Sequence, residues 1–255
     1  MPTIGAAMFI KDGDKYDYCF REAIRSVLWA DQVVICVVDS DDGKTYEACA
    51  DELEQYHGPI EIIRLDPEMW NLLHGKERLS YFSNVAIANL GTDWVYYAQA
   101  DEVTHEDSVA WIREAVNQPG VEGFLCRRYN LWNDPYHYLT CDLSRQPCST
   151  HVIRLAKSGY RCVGDAESLG ITGNLSEEFT EKIEIFHLGF VRKRDIMKAK
   201  VINIQENIFQ TPHDKRLDED KEFNPMRYFS REDLSPIPKP LPAVVQKWAA
   251  ERLPQ

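Results

Sequence analysis

The chain has 255 residues, 44% of them hydrophobic, enough for one large domain or two small ones around a substantial core. Its formal net charge of −12 argues against nonspecific binding to nucleic acid or to an anionic membrane. No apolar run approaches transmembrane length, and the N-terminus, MPTIGAAMFIKDGD, lacks a charged region followed by a long apolar core, so a soluble cytoplasmic protein with no transmembrane segment is expected.

Thr3 to Ile10 reads as a buried strand. Phe20, Ile24, Val27 and Leu28 then fall at helical spacing between Tyr18 and Leu28. Gln32 to Val38 is a second apolar strand, closed by the Asp- and Gly-rich turn VDSDDGKT. Tyr46, Cys49, Ala50, Leu53 and Tyr56 mark a helix, Ile60 to Leu65 a third strand, and Leu79, Phe82, Ala86 and Leu90 another helix. Trp94 to Tyr97 begins a fourth strand, which ends in the acidic pair Asp101-Glu102. Strand and helix alternating at short intervals predict a mostly parallel sheet flanked by helices.

In such sheets ligands bind beyond the carboxyl ends of the strands. Asp12, Asp39 and Asp101 all fall just past strand ends, so they are expected on one edge. A carboxylate at the mouth of a buried strand is costly to desolvate unless it meets a cation or donors. Magnesium and manganese prefer oxygen ligands and bridge carboxylates to phosphates. Asp101 therefore marks either a metal–diphosphate site or a strand that closes in a solvated acidic turn.

The second half is less regular. Ser108 to Asn117 reads as a helix and Val121 to Leu131 as a strand running into the aromatic loop YNLWNDPYHY. His151 to Leu155 and Ile183 to His187 read as strands. A long helix is expected over Arg192 to Phe209, with Ile196, Ala199 and Ile202 among its apolar positions. Residues 211–255 are charged and Pro-rich. Ser235 to Pro242 reads as extended polyproline-like chain and Ala243 to Leu253 as a short helix, in a tail either docked or flexible. The seven cysteines are an odd, scattered set that suggests reduced thiols. His137, Cys141, Cys148 and His151 are the right types for a structural zinc, at a spacing that fits ordinary loop residues as well.

Three segments, IKDGDKYDYCFREAIRSV, VVICVVDSDDGKTYEACADEL and SNVAIANLGTDWVYYAQADEV, occur in the order and at the spacing of the family-two type of glycosyltransferase with the GT-A fold, and the chain resembles that family over its first hundred residues. EIFHLGFVRKRDIMKAK resembles a late segment of the same enzymes. The stretch from about Gly120 to Thr180 shows no such match. The resemblance implies a GT-A, Rossmann-like central sheet in a catalytic domain over 1–210. Residues 1–105 would be its nucleotide-sugar-binding half and 106–210 its acceptor-side half, with 211–255 as tail.

The resemblance also implies a nucleoside diphosphate sugar donor, commonly a UDP-sugar, and a divalent cation, manganese or magnesium. Asp39 matches the position that meets the nucleobase. Asp12 and Asn84 match positions near the donor. Asp101 matches the metal-binding Asp of the Asp-x-Asp motif, and His187 a second ligand; a histidine packed at a strand end is the alternative for His187. Gln99 replaces the motif's first Asp and brings a hydrogen-bonding amide without charge. Arg192 is suited to the diphosphate. Sugar transfer with inversion needs a base at the acceptor hydroxyl, and Asp165 and Glu167 in CVGDAESLG are the candidates. The acceptor stays open: a glycan, a lipid-linked sugar, a protein, a small molecule or a hydroxymethylated base in phage-type DNA. A non-catalytic nucleotide-sugar-binding module is the competing class. Nucleotidyl transfer lacks its basic Gly-rich loop here, and glycoside hydrolysis lacks a distinguished carboxylate pair.

Overall fold

The computed structural model describes residues 1–39, 43–54 and 56–252; Ser40, Asp41 and Asp42 of the acidic turn, and Leu253 at the expected end of the last helix, lie outside them. Strands β1 (Ile4–Lys11), β2 (Gln32–Val38), β3 (Ile60–Leu65) and β4 (Trp94–Gln99) alternate with helices α1 (Phe20–Arg25), α2 (Lys44–Leu53), α3 (Pro67–Leu72) and α4 (Glu77–Ala88). There follow β5 (Glu102–Thr104), α5 (Ser108–Ala115), β6 (Gly123–Trp132), β7 (His137–Leu139), β8 (His151–Lys157), β9 (Arg161–Val163), β10 (Ser168–Gly170), β11 (Leu175–Ser176) and β12 (Glu184–Phe190). The chain closes with α6 (Arg194–Asn203), α7 (Arg216–Glu219), β13 (Leu234–Pro236) and α8 (Ala243–Arg252).

The main sheet runs β3-β2-β1-β4-β8-β6-β7-β13, with β1 to β4 parallel and β8 antiparallel to β4. The parallel half flanked by helices is the expected α/β architecture; a mixed half continues it, with β7 and β8 antiparallel to β6 and β12 parallel to it. Strand alternation divides the core between two faces. Ile4, Met8, Ile35, Val37, Trp94 and Tyr96 face α1, α2 and α5, and Ala7, Val34, Cys36, Val95 and Tyr97 face α3 and α4. Complete burial of such side chains contributes about 1.5–3 kcal/mol each, so the parallel half is a rigid platform for whatever stands on its edge.

β6 is the hinge of the topology. Its first half pairs with β8, and its second half runs parallel to β12, which in turn pairs antiparallel with β5. His187 thereby stands in register with both Asn130 and Glu102.

Several elements differ from the sequence reading. Of the helix expected between Tyr18 and Leu28, α1 spans only Phe20–Arg25; Cys19 before it has ψ 37°, outside the helical range, and follows a loop in which Asp17 is left-handed at φ 49°. The unpredicted α3 starts at Asp66-Pro67, where the Asp66 carboxylate accepts from the Glu68 N–H at 2.8 Å. The long helix expected over Arg192 to Phe209 begins at Arg194 and passes into a wider π-type turn over Ile204–Ile208. Its buried face carries Met197 and Lys200, while Ala199 is exposed, so the expected apolar stripe is rotated. Ser235 and Pro236 do not begin a free polyproline run; they belong to β13, paired antiparallel with β7.

Candidate functional site

β1, β2 and β4 are neighbours in register, so their carboxyl ends form one edge. Asp12 and Asp39 follow β1 and β2 directly, and Asp101 lies two residues beyond β4. All three are buried. Asp12 lies in the left-handed region that Asp and Asn tolerate better than other non-glycine residues, and its carboxylate pairs with Lys11. Asp39 accepts from the Tyr46 N–H at 3.1 Å, which ties it to the start of α2.

Asp101 sits among bases. Its Oδ2 lies 3.1 Å from Lys200 Nζ and 3.5 Å from an Arg192 terminal nitrogen, and its Oδ1 lies 3.8 Å from His187 Nε2. Burial raises the Asp101 pKa, but its basic neighbours, Lys200 foremost, outweigh burial and hold the carboxyl well below the usual range. Burial pushes the His187 imidazole down to about 4, so the ring is neutral near pH 7. Asn130 donates to Gln146 Oε1 and the Cys148 carbonyl, leaving its own oxygen to accept from His187 Nδ1–H at 3.1 Å. The bare Nε2 therefore faces Asp101. Burial, with Arg192 close by, pushes Lys200 down to about 8.

Gly189 makes this arrangement possible. The β6–β12 register breaks between His187 and Phe190, which turns the Gly189 carbonyl to accept from Lys200 Nζ at 3.0 Å. A Cβ on Gly189 would stand 2.3 Å from His187 Nε2. Gly189→Ala is expected to remain folded at a cost of about 1–3 kcal/mol and to turn the ring off Asn130. Imidazole 15N shifts read the tautomer directly, and an unchanged Nδ1–H signal would contradict this account.

The other predicted residues are distributed as follows. The Asn84 amide clamps β9, donating to the Cys162 carbonyl at 3.0 Å and accepting from the Cys162 N–H at 2.8 Å. Gln99 ends β4 and donates to the Ala166 carbonyl at 3.0 Å. Arg192 donates to the Tyr16 carbonyl at 2.7 Å and stacks 4.4 Å over Tyr18, with its Nε lacking an acceptor among the described residues. Glu167 accepts from Arg128 at 2.6 Å and from the Ser149 N–H at 2.8 Å. Burial raises the Glu167 pKa, but the Ser149 donor and Arg128 outweigh it and leave a weakened base. Asp165 Oδ1 lies 3.4 Å from the Glu167 N–H. A cleft of about 410 Å³ opens beside Glu167, lined also by Gln146, Cys148, Ser149, Thr150 and His151.

In the aromatic loop, Trp132 packs with Phe190, Phe223 and Phe229 in a buried cluster, whereas Tyr136 is exposed. His137 is engaged by Asp134 at 2.9 Å and His151 by the Thr150 hydroxyl at 3.1 Å. Among the described residues no three His, Cys, Asp or Glu side chains gather as a metal set. No helix among them is long and apolar enough to cross a membrane.

Four basic residues at or near this edge have no role in the sequence reading of the donor site. Lys200 lies on the buried face of α6. Arg128 and Arg154 meet Glu102 from strands in the unmatched middle. Arg78 is buried on Trp70 at 4.6 Å with the Gly75 carbonyl as its hydrogen-bond acceptor, and burial lowers its pKa. Lys11 approaches the same indole ring at 5.1 Å, which places Arg78 near the end of β1. Its one sequence signal is an arginine on the apolar side of a helix that also buries Phe82 and Ala86.

A divalent cation fits this donor set by spacing only. Asp101 Oδ1 and His187 Nε2 face each other, but Lys200 and Arg192 already meet the one carboxylate with two positive charges. Gln99 adds none, and Glu102 is enclosed by Arg154 and Arg128. In charge, the site does not fit a divalent ion.

No family model and no curated protein matches the chain. Solved structures align with it in part. S. aureus TarS 1–349 is 12% identical over 61% of this chain and 47% of that one, with a TM-score of 0.39. The mannosyltransferase PcManGT of Pyrobaculum calidifontis, in complex with GDP-Man and Mn2+, is 18% identical over 50% of this chain and 36% of that one, with a TM-score of 0.35. Glucosyl-3-phosphoglycerate synthase of Mycobacterium tuberculosis, in complex with Mn2+, UDP and glucosyl-3-phosphoglycerate, is 14% identical over 80% of this chain and 77% of that one, with a TM-score of 0.46. The chain spans less than half the length of the first two.

Proposed function

We propose that this chain is a glycosyltransferase that moves a sugar from a nucleoside diphosphate, foremost a UDP-sugar, to an acceptor hydroxyl with inversion. The observation that carries the reading is the shared edge of β1, β2 and β4: Asp12, Asp39 and Asp101 follow its strand ends, Lys200 and Arg192 meet Asp101, and the buried Arg78 shares the Trp70 ring with Lys11 at the end of β1. Carboxylates suit the nucleobase and ribose donors, and buried cations suit a diphosphate. The motif order that the first hundred residues share with the family supports the same reading.

In the reaction the bond from the anomeric carbon to the diphosphate oxygen breaks, and its electron pair stays on the diphosphate. The acceptor oxygen forms the new bond from the opposite face, and its proton passes to a carboxylate. Asp165 is the better candidate, because Arg128 and Ser149 hold Glu167 as a weak base. The cleft beside Glu167 is the place for the acceptor.

The test is a panel of UDP, GDP, CDP, ADP and dTDP sugars, read by thermal shift and by release of free nucleoside diphosphate. One donor is expected to stabilise the wild type by about 2.7 kcal/mol at a hundred times its dissociation constant, and Asp39→Ala to lose that shift. Silence of the wild type toward the whole panel would remove the reading. A shift without turnover, whatever acceptor is supplied, would leave a nucleotide-sugar-binding module.

A further inference from the structure

We propose that the ammonium group of Lys200, seconded by Arg192, takes the place of a divalent cation at the donor's diphosphate, so that the nucleotide binds without metal. The inference rests on the nucleotide-sugar reading of this edge and names the group that meets the phosphates there.

Lys200 is 6% exposed and reaches the site from α6, far along the chain from the strand ends it serves. Two acceptors fix its Nζ, Asp101 Oδ2 at 3.1 Å and the Gly189 carbonyl at 3.0 Å. Tyr18 supplies an aromatic face 4.8 Å away. An ammonium has three donors, and among the described residues no third oxygen accepts from this one. Arg192 adds a second cation on the same carboxylate oxygen, buried to 1% side-chain exposure, with its Nε unpartnered among the described residues. One carboxylate thus faces two cations. Around Asp101 itself the cations outnumber the carboxylates, since the neighbouring Glu102 is held by Arg154 and Arg128. A diphosphate supplies the missing negative charge. A divalent ion added between Asp101 Oδ1 and His187 Nε2 would increase the excess.

Isothermal titration separates these cases. UDP, GDP, CDP, ADP and dTDP are each titrated into the full chain, once in EDTA and once in Mn2+. One nucleoside diphosphate is expected to bind in EDTA with an affinity within about threefold of that in Mn2+. Lys200→Met should weaken it about tenfold or more, the worth of a lost charge-assisted hydrogen bond. Lys200→Arg should retain most of the affinity. The matching nucleoside monophosphate is the control for a collapsed site, and its binding to Lys200→Met should equal the wild type. Binding that appears only with Mn2+ overturns the inference and leaves the functional reading intact. So does a Lys200→Met variant that binds the diphosphate normally or loses the monophosphate equally. Failure of every nucleoside diphosphate in both buffers overturns both.

Discussion

Glu102→Gln is expected to lower the unfolding free energy by about 3–5 kcal/mol, the cost of removing one partner from a buried ion pair. The side chain is 2% exposed and accepts from Arg154 at 2.6 and 2.7 Å and from Arg128 at 3.2 Å. Arg154 is completely buried, and its other terminal nitrogen donates to the Glu167 carbonyl at 2.7 Å. The amide leaves the buried Arg154 facing no carboxylate but a main-chain carbonyl, and leaves Arg128 with Glu167 alone. Against a typical total of about 5–15 kcal/mol, that is a large share, and urea denaturation at pH 7 reads it. A loss below about 1 kcal/mol would mean that Glu167 alone compensates Arg128 and Arg154.

The same group sets an acid limb. Burial raises the Glu102 pKa, but Arg154 and then Arg128 outweigh it and leave the carboxyl below its ordinary value. Asp101 is depressed in the same sense. A depressed carboxylate binds fewer protons in the folded state than in the unfolded chain. Its contribution is therefore full above the unfolded value near about 4 and is lost as pH falls through the folded one. His187, lowered from 6.5 to about 4 by burial, acts in the same direction over that higher window. Wild-type stability should fall on acidification from about pH 6.5, and Glu102→Gln should show a shallower final limb.

The parallel half was legible because its signals are local. Gln32–Val38 and Ile60–Leu65 are short β-branched runs between turn residues, and the structure gives those same bounds. The placement of Asp12, Asp39 and Asp101 on one edge follows from strand order alone. What stayed hidden depends on pairing between distant segments. Arg154 lies 52 residues from Glu102, and Lys200 lies 99 from Asp101. Neither position carries a local pattern. The α6 stripe was misread for the same reason: a lysine that reaches a buried carboxylate occupies the inward face, which an apolar periodicity assigns to its neighbours. Asn84 lies in the helix where the resemblance put it, but its amide is engaged by the β9 backbone, a pairing that no motif announces.

Trp248→Ala is expected to cost about 3–5 kcal/mol, the usual loss for emptying a buried aromatic site, and to weaken nucleotide binding as well. Sequence left the tail either docked or flexible. In the structure Leu241, Val245, Trp248 and Ala249 are buried against Val103, Tyr129, Phe186 and Leu188. Val103 adjoins Glu102 on β5, and Phe186 and Leu188 flank His187 on β12. α8 therefore backs the two strands that present the candidate site, and Arg252 secures its end through Asp17. Loss of the indole lets β5 and β12 relax, and the His187 and Asp101 positions with them. A second substitution separates volume from polarity. The buried Trp248 Nε1 has no acceptor among the described residues, a defect that itself costs about 1–3 kcal/mol. Trp248→Phe keeps most of the ring, removes the orphan donor and should lose far less stability than Trp248→Ala. Denaturation midpoints of the two variants, measured with a nucleoside diphosphate titration of each, decide the matter. Equal and small losses would mean that α8 is an ornament on the domain. A large loss for alanine alone, with weakened nucleotide binding, makes the tail part of the wall behind the site.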